Sequence, residues 1–149
     1  MKVVIQRSKN SSVKINNMIV GAINMGLVVL LGVGKNDTID DIDYLVNKII
    51  NLRIFEDDEG KMNKSLLDVD GEILLVSQFT LYGDTKKGRR PSFINAGSPE
   101  KANEYYEIFK DKLIHHGIQI QTGIFQAEME VNIVNDGPVT IIIDTEDNK

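Results

Sequence analysis

Three polar side chains follow an apolar run near the middle of the chain. Ser77, Gln78 and Thr80 surround Phe79, directly after the run from Ile73 to Val76. A Ser or Thr hydroxyl in such a cluster can act as a nucleophile in acyl transfer. Side chains alternate faces along a strand, so Gln78 and Thr80 are expected to share a face unless the strand bends. Polar side chains at strand ends also satisfy loose backbone groups, and the spacing alone favours that structural role.

The sequence offers no clear base for such a nucleophile. His115 and His116 are adjacent, so they cannot face one another on a helix, and they are typical of a helix C-terminus. Asp84 and Asp136 each stand beside a glycine, where Asp usually belongs to a turn. Thr80 as a covalent nucleophile is therefore a minority hypothesis.

A basic loop follows the polar cluster, and it is defined by its four cationic residues, Lys86, Lys87, Arg89 and Arg90. Such a run can simply be a solvated loop. It can also be a small anion clamp that holds a few phosphates near an RNA end, with the specificity elsewhere. The spacing leaves both interpretations open.

A second unusual stretch, NIVNDGPVTIII, spans Asn132 to Ile143. Its segment from Asn135 to Pro138 separates two apolar strand segments and is typical of a turn. The side chains of Gly137 and Pro138 form no hydrogen bonds. This segment can therefore also present bare backbone carbonyls to a ligand. Cis bonds are only about 5–6% of bonds that precede proline, and spacing does not show which isomer is present.

Length and composition predict one globular domain over residues 1–149, with 42% hydrophobic and 26% charged residues. The chain has no cysteine, which excludes disulfides, thiolate catalysis and cysteine-bound zinc. No apolar run approaches the roughly 20 residues that span a bilayer, so we expect no membrane partner and a cytoplasmic location. The net charge of -5 argues against broad nucleic-acid binding, and we expect no DNA partner.

The hydrophobic pattern predicts about eight strands and two helices. Apolar residues at helical spacing follow Asp37 or Thr38, and Ser98-Pro99 is a typical helix start. Asn16-Asn17 separates two strand-like segments and indicates a hairpin. The predicted fold class is α/β (α+β): a curved, mostly antiparallel sheet or barrel with two packed helices.

Several motifs, taken together and in order, resemble those of the D-aminoacyl-tRNA deacylase family. The resemblance covers nearly the whole chain. Its strongest parts are SQFTL at Ser77 to Leu81, GRRPSF at Gly88 to Phe93 and NDGPVT at Asn135 to Thr140, and further parts are VVIQR at Val3 to Arg7, GLVVLLGV at Gly26 to Val33, RIFEDDEGKMN at Arg53 to Asn63 and QTGIF at Gln121 to Phe125.

The resemblance implies an enzyme that hydrolyses the ester bond between a D-amino acid and the 3′ end of tRNA. It also implies activity on glycine wrongly attached to tRNA-Ala, a homodimer and no cofactor or metal. Gly137-Pro138 is implied to be a cis pair that reaches into the partner subunit's site and excludes L residues. The implied mechanism uses the terminal 2′-hydroxyl of the tRNA, with water as the final nucleophile.

The resemblance also assigns residue roles. Ser77, Gln78, Phe79 and Thr80 are implied to line the reaction site, with backbone N–H groups near Phe79 and Thr80 binding the developing oxyanion. The basic loop is implied to meet tRNA phosphates. Supporting or substrate-binding roles fall on Arg7, Phe125, Ala127, Met129, Asn135 and Thr140.

The chain departs from the family pattern at a few positions. Gln126 stands where a small residue is usual, Glu128 where Asp is common, and Ser8 where Val is usual. These differences concern the shape of the pocket and the substrate preference. Two other functions are alternatives to the deacylase: a non-catalytic module that binds RNA ends, and an esterase for small D-amino-acid esters.

Overall fold

The chain begins with a long antiparallel hairpin. In the computed structural model, which describes residues 1–148, strand β1 spans Lys2–Ile15 and strand β2 spans Met18–Gly32. The predicted turn at Asn16-Asn17 is confirmed, and both residues have the positive φ that such a tight turn requires, 50° and 63°. The strand-like segments predicted on either side of the turn are too short, because polar residues of β1 and β2 continue the pairing beyond them.

The first helix, α1, spans Ile39–Asn51 and follows the predicted start at Thr38. The carboxylate of Asp41 accepts a hydrogen bond from the Thr38 backbone N–H at 2.8 Å, which fixes the first turn. Its apolar stripe packs into the core, except that Ile39 in the first turn is 40% exposed. The buried members of the stripe are Ile42, Leu45, Val46, Ile49 and Ile50.

Three short strands follow α1. Strands β3, Phe55–Glu56, and β4, Met62–Lys64, form a separate two-stranded ribbon. Strand β5, Glu72–Ser77, then returns to the main sheet parallel to β2. Because the connection from β2 to β5 passes through α1 and returns to the end of the sheet where β2 began, the two strands run parallel. Gly26, with φ +155°, lets β2 pass against the Glu72 backbone, where a Cβ atom would overlap the Glu72 carbonyl oxygen.

The second helix, α2, spans Pro99–His115 and is followed by strand β6, Ile120–Thr122, parallel to β5. Ser98 caps the helix as predicted, since its Oγ accepts from the Lys101 backbone N–H at 3.2 Å. Among residues 1–148 no helix has the length and apolar character to cross a membrane. Strand β7, Glu130–Asp144, completes the sheet antiparallel to β1.

The main sheet has the order β6-β5-β2-β1-β7. This agrees with the predicted mixed α/β fold with two helices, and most of the paired length is antiparallel, but the sheet does not close into a barrel. Both helices contribute to one large core cluster with β1, β2 and β5, centred on residues such as Phe109 and Leu45. A smaller cluster that includes Val28 and Leu74 is formed by side chains that point to the other face of the same strands.

The α-ammonium group of Met1 is buried in this framework. It donates to Asp37 Oδ1 at 2.6 Å and to Thr145 Oγ1 at 2.7 Å. The other carboxylate oxygen of Asp37 accepts from the Gly34 N–H at 2.6 Å. The Met1 ammonium and the Asp37 carboxylate thus together join the start of β1, the connection before α1 and the residue that follows β7.

Candidate active site

The polar cluster lies where β5 ends and the chain bends. Ser77 is the last strand residue, and a 3-10 turn spans Phe79–Tyr82. The predicted alternation of faces therefore stops at Gln78, whose φ and ψ are -142° and 78°. Gln78 is anchored by its backbone N–H, which donates to the Leu31 carbonyl at 2.8 Å. The N–H groups of Phe79 and Thr80 open the turn, so they have no acceptor inside it.

The bend borders a pocket of about 670 Å³, here called the β5 pocket. Its walls are the end of β5, the segment from Phe93 to Ala102 and the segment from Phe125 to Val131. Among residues 1–148, no Asp, Glu, His, Lys, Arg or Tyr lines this pocket. Its walls can bind an apolar group and orient an ester, but they supply no general base.

Most of the predicted pocket residues lie together. Ser77, Gln78 and Phe79 line the β5 pocket, and so do Phe125, Ala127 and Met129. Thr80 is not part of the lining. It is exposed, and its Oγ accepts a short hydrogen bond from Gln78 Nε2.

Gln126, one of the three departures from the family pattern, also lines the pocket. Its φ is +63°, in the left-handed region that few side chains other than Asn, Asp and Gly adopt readily. The backbone therefore turns sharply at this point of the pocket wall. This position concerns the shape of the pocket, as the sequence indicated.

Two tyrosines near the site, the buried Tyr106 and the half-buried Tyr82, cannot supply the missing base. Tyr106 packs near Phe125, with ring centroids 6.4 Å apart, and donates to the Leu75 carbonyl at 2.9 Å. Burial is the main reason that the pKa of Tyr106 is raised well above its ordinary value. Burial likewise raises the pKa of Tyr82. Both phenols stay protonated at neutral pH.

The basic loop is closed at its base by two backbone hydrogen bonds. Asp84 N–H donates to the Ser92 carbonyl at 2.8 Å, and Ser92 N–H donates back at 2.9 Å. The Asp84 carboxylate accepts from the Lys86 N–H at 2.9 Å, which tightens the turn. All four basic side chains are exposed, and none forms an ion pair with another residue in the described part of the chain. Lys86 also borders a second, polar pocket of about 430 Å³.

The predicted turn around Gly137-Pro138 is wrong, because β7 runs through it as one strand. Gln6 pairs with Thr140 and Ser8 pairs with Asn135, so residues 136–139 bulge out of the ladder with β1. We call these residues the Gly-Pro bulge. The implied cis bond is also wrong: no peptide bond among the described residues is cis. Strand β7 continues through Pro138 without reversing its direction. The trans form of the peptide bond that precedes a proline is favoured by roughly 0.5–1 kcal/mol.

The Arg7 side chain supports the Gly-Pro bulge through hydrogen bonds. Its side chain is nearly buried, and its Nε donates to the Asp136 carbonyl at 3.2 Å. Its Nη1 donates to the Ile54 carbonyl at 2.8 Å, which ties the bulge to the chain after α1. The Asp136 carboxylate lies 3.5 Å from Arg7 Nε. Gly137 has φ +102° and lies so close to the guanidinium that a Cβ atom would overlap Arg7 Nη2.

Side-chain amides complete this support. Asn135 Nδ2 donates to the Arg7 carbonyl at 2.9 Å and to the Val139 carbonyl at 3.1 Å, across the bulge. Thr140 Oγ1 donates to Asn135 Oδ1 at 3.3 Å and accepts from Gln6 Nε2 at 3.2 Å. Asn135 and Thr140 therefore position the bulge in a single chain.

The structure does not bring the two predicted clusters together within one chain. Gly137 and Pro138 are exposed and do not line the β5 pocket. Phe93, which lines the pocket, and Gln6, which supports the bulge, have no role predicted from the sequence. Asp136, predicted to belong to a turn, supports the bulge through its carbonyl. Phe93 closes the GRRPSF motif, but an isolated Phe after a polar loop is not distinguishable from a core residue.

The matching family model and two related proteins point to the same family. Residues 4–144 match the family model described as D-Tyr-tRNA(Tyr) deacylase. The chain is 57% identical over 146 residues to the D-aminoacyl-tRNA deacylase of Thermosipho melanesiensis, covering 97% of each chain. It is 55% identical over 148 residues to that of Clostridium perfringens, covering 99% of each.

Two solved structures have the same fold. One, a c-Myc DNA Unwinding Element Binding Protein, has a TM-score of 0.91 and 42% identity and matches 97% of this chain and 98% of that one. The other, a probable eukaryotic D-amino acid tRNA deacylase, has a TM-score of 0.80 and matches 95% of this chain and 97% of that one. Its 18% identity supports the fold alone.

Proposed function

Because this chain belongs to the D-Tyr-tRNA(Tyr) deacylase family, we propose that it hydrolyses the ester bond between a D-amino acid and the 3′ end of tRNA in the cytoplasm. The observation that carries the proposal is the β5 pocket. Its wall includes Phe79, which begins the turn whose first two N–H groups lack acceptors within the turn, and none of residues 1–148 that line it has a titratable side chain. This combination suits an ester that brings its own proton acceptor.

The proposed reaction begins with attack of water on the ester carbonyl carbon. The carbonyl oxygen takes up the negative charge and is stabilised by the N–H groups of Phe79 and Thr80. The bond to the 3′-oxygen of the ribose then breaks, and that oxygen receives the proton lost by water. The neighbouring 2′-hydroxyl of the tRNA can relay this proton, which is why the protein needs no base of its own.

We further propose that a second copy of the chain completes the site. The Gly-Pro bulge is exposed, has no bulky side chain at Gly137, and is held rigidly by Arg7. Placed over the β5 pocket of a partner in a homodimer, its backbone would crowd one side of the substrate α-carbon. Only hydrogen fits on that side, so D residues and glycine would be accepted, including glycine on tRNA-Ala, and L residues excluded.

One assay separates this function from its alternatives. D-tyrosyl-tRNA, L-tyrosyl-tRNA and the ethyl ester of D-tyrosine are each incubated with the protein, and release of tyrosine is followed. Rapid release from D-tyrosyl-tRNA alone supports the deacylase. Equal cleavage of the ethyl ester indicates a small-ester esterase, and binding of tRNA without release indicates a non-catalytic RNA-end module.

A second candidate, binding of DNA, is favoured by one observation: a 42% identical relative is named as a c-Myc DNA Unwinding Element Binding Protein. The basic loop can contact phosphates of either nucleic acid. Competition between tRNA and single-stranded DNA of equal length decides between them, since a tRNA ligand predicts that DNA competes poorly.

The variant Thr80→Ala is expected to keep deacylase activity within about 10-fold of the wild type. Its hydroxyl lies outside the pocket lining, and the backbone N–H that binds the oxyanion remains. Loss of a true nucleophile lowers kcat by about a million-fold in a well-studied case. The measurement is single-turnover hydrolysis of D-tyrosyl-tRNA, with circular dichroism to verify folding. Complete inactivity of a folded variant would make Thr80 the nucleophile.

Replacing all four residues of the basic loop by Gln is expected to weaken tRNA binding and to flatten its salt dependence. Each lost phosphate contact lowers the slope of log K against log salt by about 0.7–0.9. The measurement is tRNA affinity from 50 to 300 mM KCl. A control with the same change in net charge replaces four lysines outside the site: Lys48, Lys61, Lys110 and Lys112. Equal slopes for the two variants would show a merely solvated loop.

A further inference from the structure

Two aromatic rings are exposed at the mouth of the β5 pocket. Phe79 is 54% exposed and Phe93 is 36% exposed, although both line the pocket. Their ring centroids are 5.1 Å apart, with 65° between the ring planes, so the edge of one ring meets the face of the other. Large apolar rings left partly in water at the rim of a pocket commonly mark a contact surface.

The backbone holds Phe93 in a fixed place. The paired hydrogen bonds between Asp84 and Ser92 end one residue before it. Its own carbonyl accepts from the Ala96 N–H at 3.0 Å, and the following Asn95 carbonyl accepts from the Lys35 N–H at 3.0 Å. The backbone at Phe93 is therefore attached to the connection that follows β2.

The charge around these rings indicates what covers them. The basic loop leads directly into Phe93, and its four side chains have no ion-pair partner within residues 1–148. Two copies of this surface would repel each other if they met face to face. A polyanion with apolar, flat groups between its charges fits both features, and single-stranded RNA is such a ligand, since its bases stack on aromatic side chains.

We propose that Phe93, supported by the edge contact with Phe79, stacks against the base of the nucleotide that precedes the terminal adenosine of tRNA. The inference deepens the proposed function and relies on it for the identity of the ligand. The β5 pocket, at about 670 Å³, has room for one aminoacylated nucleoside. The next nucleotide must then leave through the mouth, where the rings meet its base and the basic loop meets its phosphate.

The test measures binding of an uncharged, fluorescently labelled RNA minihelix with a CCA end, by anisotropy. A second minihelix lacks only the base of the penultimate nucleotide. For the complete RNA, Phe93→Ala is expected to weaken binding by roughly 5- to 100-fold, the range measured for loss of one stacked base. Removing the base should weaken wild-type binding by a similar factor, and the two changes together should weaken it little further.

Three additional variants sharpen the result. Phe93→Leu keeps an apolar side chain but removes the flat face, so it should resemble Phe93→Ala, whereas Phe93→Trp should retain the affinity. Ile94→Ala is the matched control, because Ile94 is adjacent and 73% exposed but lies outside the pocket lining. It should leave binding unchanged.

The proposal is overturned if Phe93→Ala and removal of the base weaken binding independently, or if neither weakens it. It is also overturned if Phe93→Ala changes the oligomeric state and affects both RNAs equally, since the ring would then contact a second copy. Anisotropy needs no turnover. If base-dependent binding is found with a wild-type protein that does not hydrolyse D-tyrosyl-tRNA, the deacylase proposal fails and the stacking site stands.

Discussion

A Gly137→Ala variant is expected to lose at least about 100-fold in kcat/KM for D-aminoacyl-tRNA, because a displacement of about 1 Å in a positioning element has an effect of this size. Gly137 has φ +102°, a conformation that an L side chain rarely adopts, and the added methyl group would overlap the Arg7 guanidinium. Arg7 cannot move away freely, since it is bonded to the Asp136 and Ile54 carbonyls. The bulge must therefore shift.

The matched control is Gly117→Ala. Gly117 also has a positive φ, +84°, but nothing lies within 4 Å of the position that a Cβ atom would occupy. This variant should show only the backbone cost of roughly 1 kcal/mol in stability and should retain its activity. Both variants are assayed with D- and L-tyrosyl-tRNA after thermal unfolding has been recorded. Unchanged activity and unchanged D/L selectivity in folded Gly137→Ala would remove the bulge from the site.

The second large effect concerns stability. Replacing Asp37 by Ala is expected to lower the free energy of unfolding by about 3–5 kcal/mol, because it leaves the partner of a buried ion pair without its counter-charge. The Met1 ammonium is fully buried and donates to Asp37 at 2.6 Å. The Gly34 N–H loses its acceptor as well. Urea unfolding at neutral pH measures the change as a shift in the transition midpoint.

Two comparisons show whether the loss comes from the buried pair. Asp40→Ala removes an exposed carboxylate from the first turn of α1, three residues after Asp37, and should cost no more than about 1 kcal/mol. Asp37→Asn keeps one acceptor oxygen while removing the charge, so its loss should fall between those of the two Ala variants. If Asp37→Ala is as stable as Asp40→Ala, the ion pair contributes little.

The local elements were predictable because their signals are local. The start of α1 follows from Thr38 and the periodic apolar residues after it, and the start of α2 follows from Ser98-Pro99. Asn16-Asn17 identified the hairpin because few residue pairs accept two positive φ angles. In each case a short segment determines its own conformation, whatever the remainder of the chain does.

The strand limits and pairings were less predictable. Ser8, Ser11 and Ser12 break the apolar pattern of β1, yet they are buried within it, where Ser11 Oγ accepts from the distant Val134 N–H. Parallel pairing of β5 with β2 depends on where α1 returns the chain. Both facts depend on contacts between residues far apart in sequence, which a pattern read along the chain does not contain.

Around the β5 pocket, the sequence indicated which residues lie together better than how they are arranged. Ser77 and Gln78 do line a pocket, but the 3-10 turn that moves Thr80 out of it has no distinctive signal. Gly137-Pro138 was interpreted as a turn because these residue types commonly form one. The strand absorbs the pair as a bulge instead, since Arg7 and Asn135 bond to the carbonyls around it.

The position of β7 at the border of the sheet has a consequence for how the protein behaves at high concentration. An open sheet border invites further strands from other molecules and can lead to fibrils. Here one border is the three-residue strand β6, and the other is interrupted where Pro138 has no N–H to donate. The interruption that we associate with selecting a stereoisomer thus also keeps the sheet from growing sideways without limit.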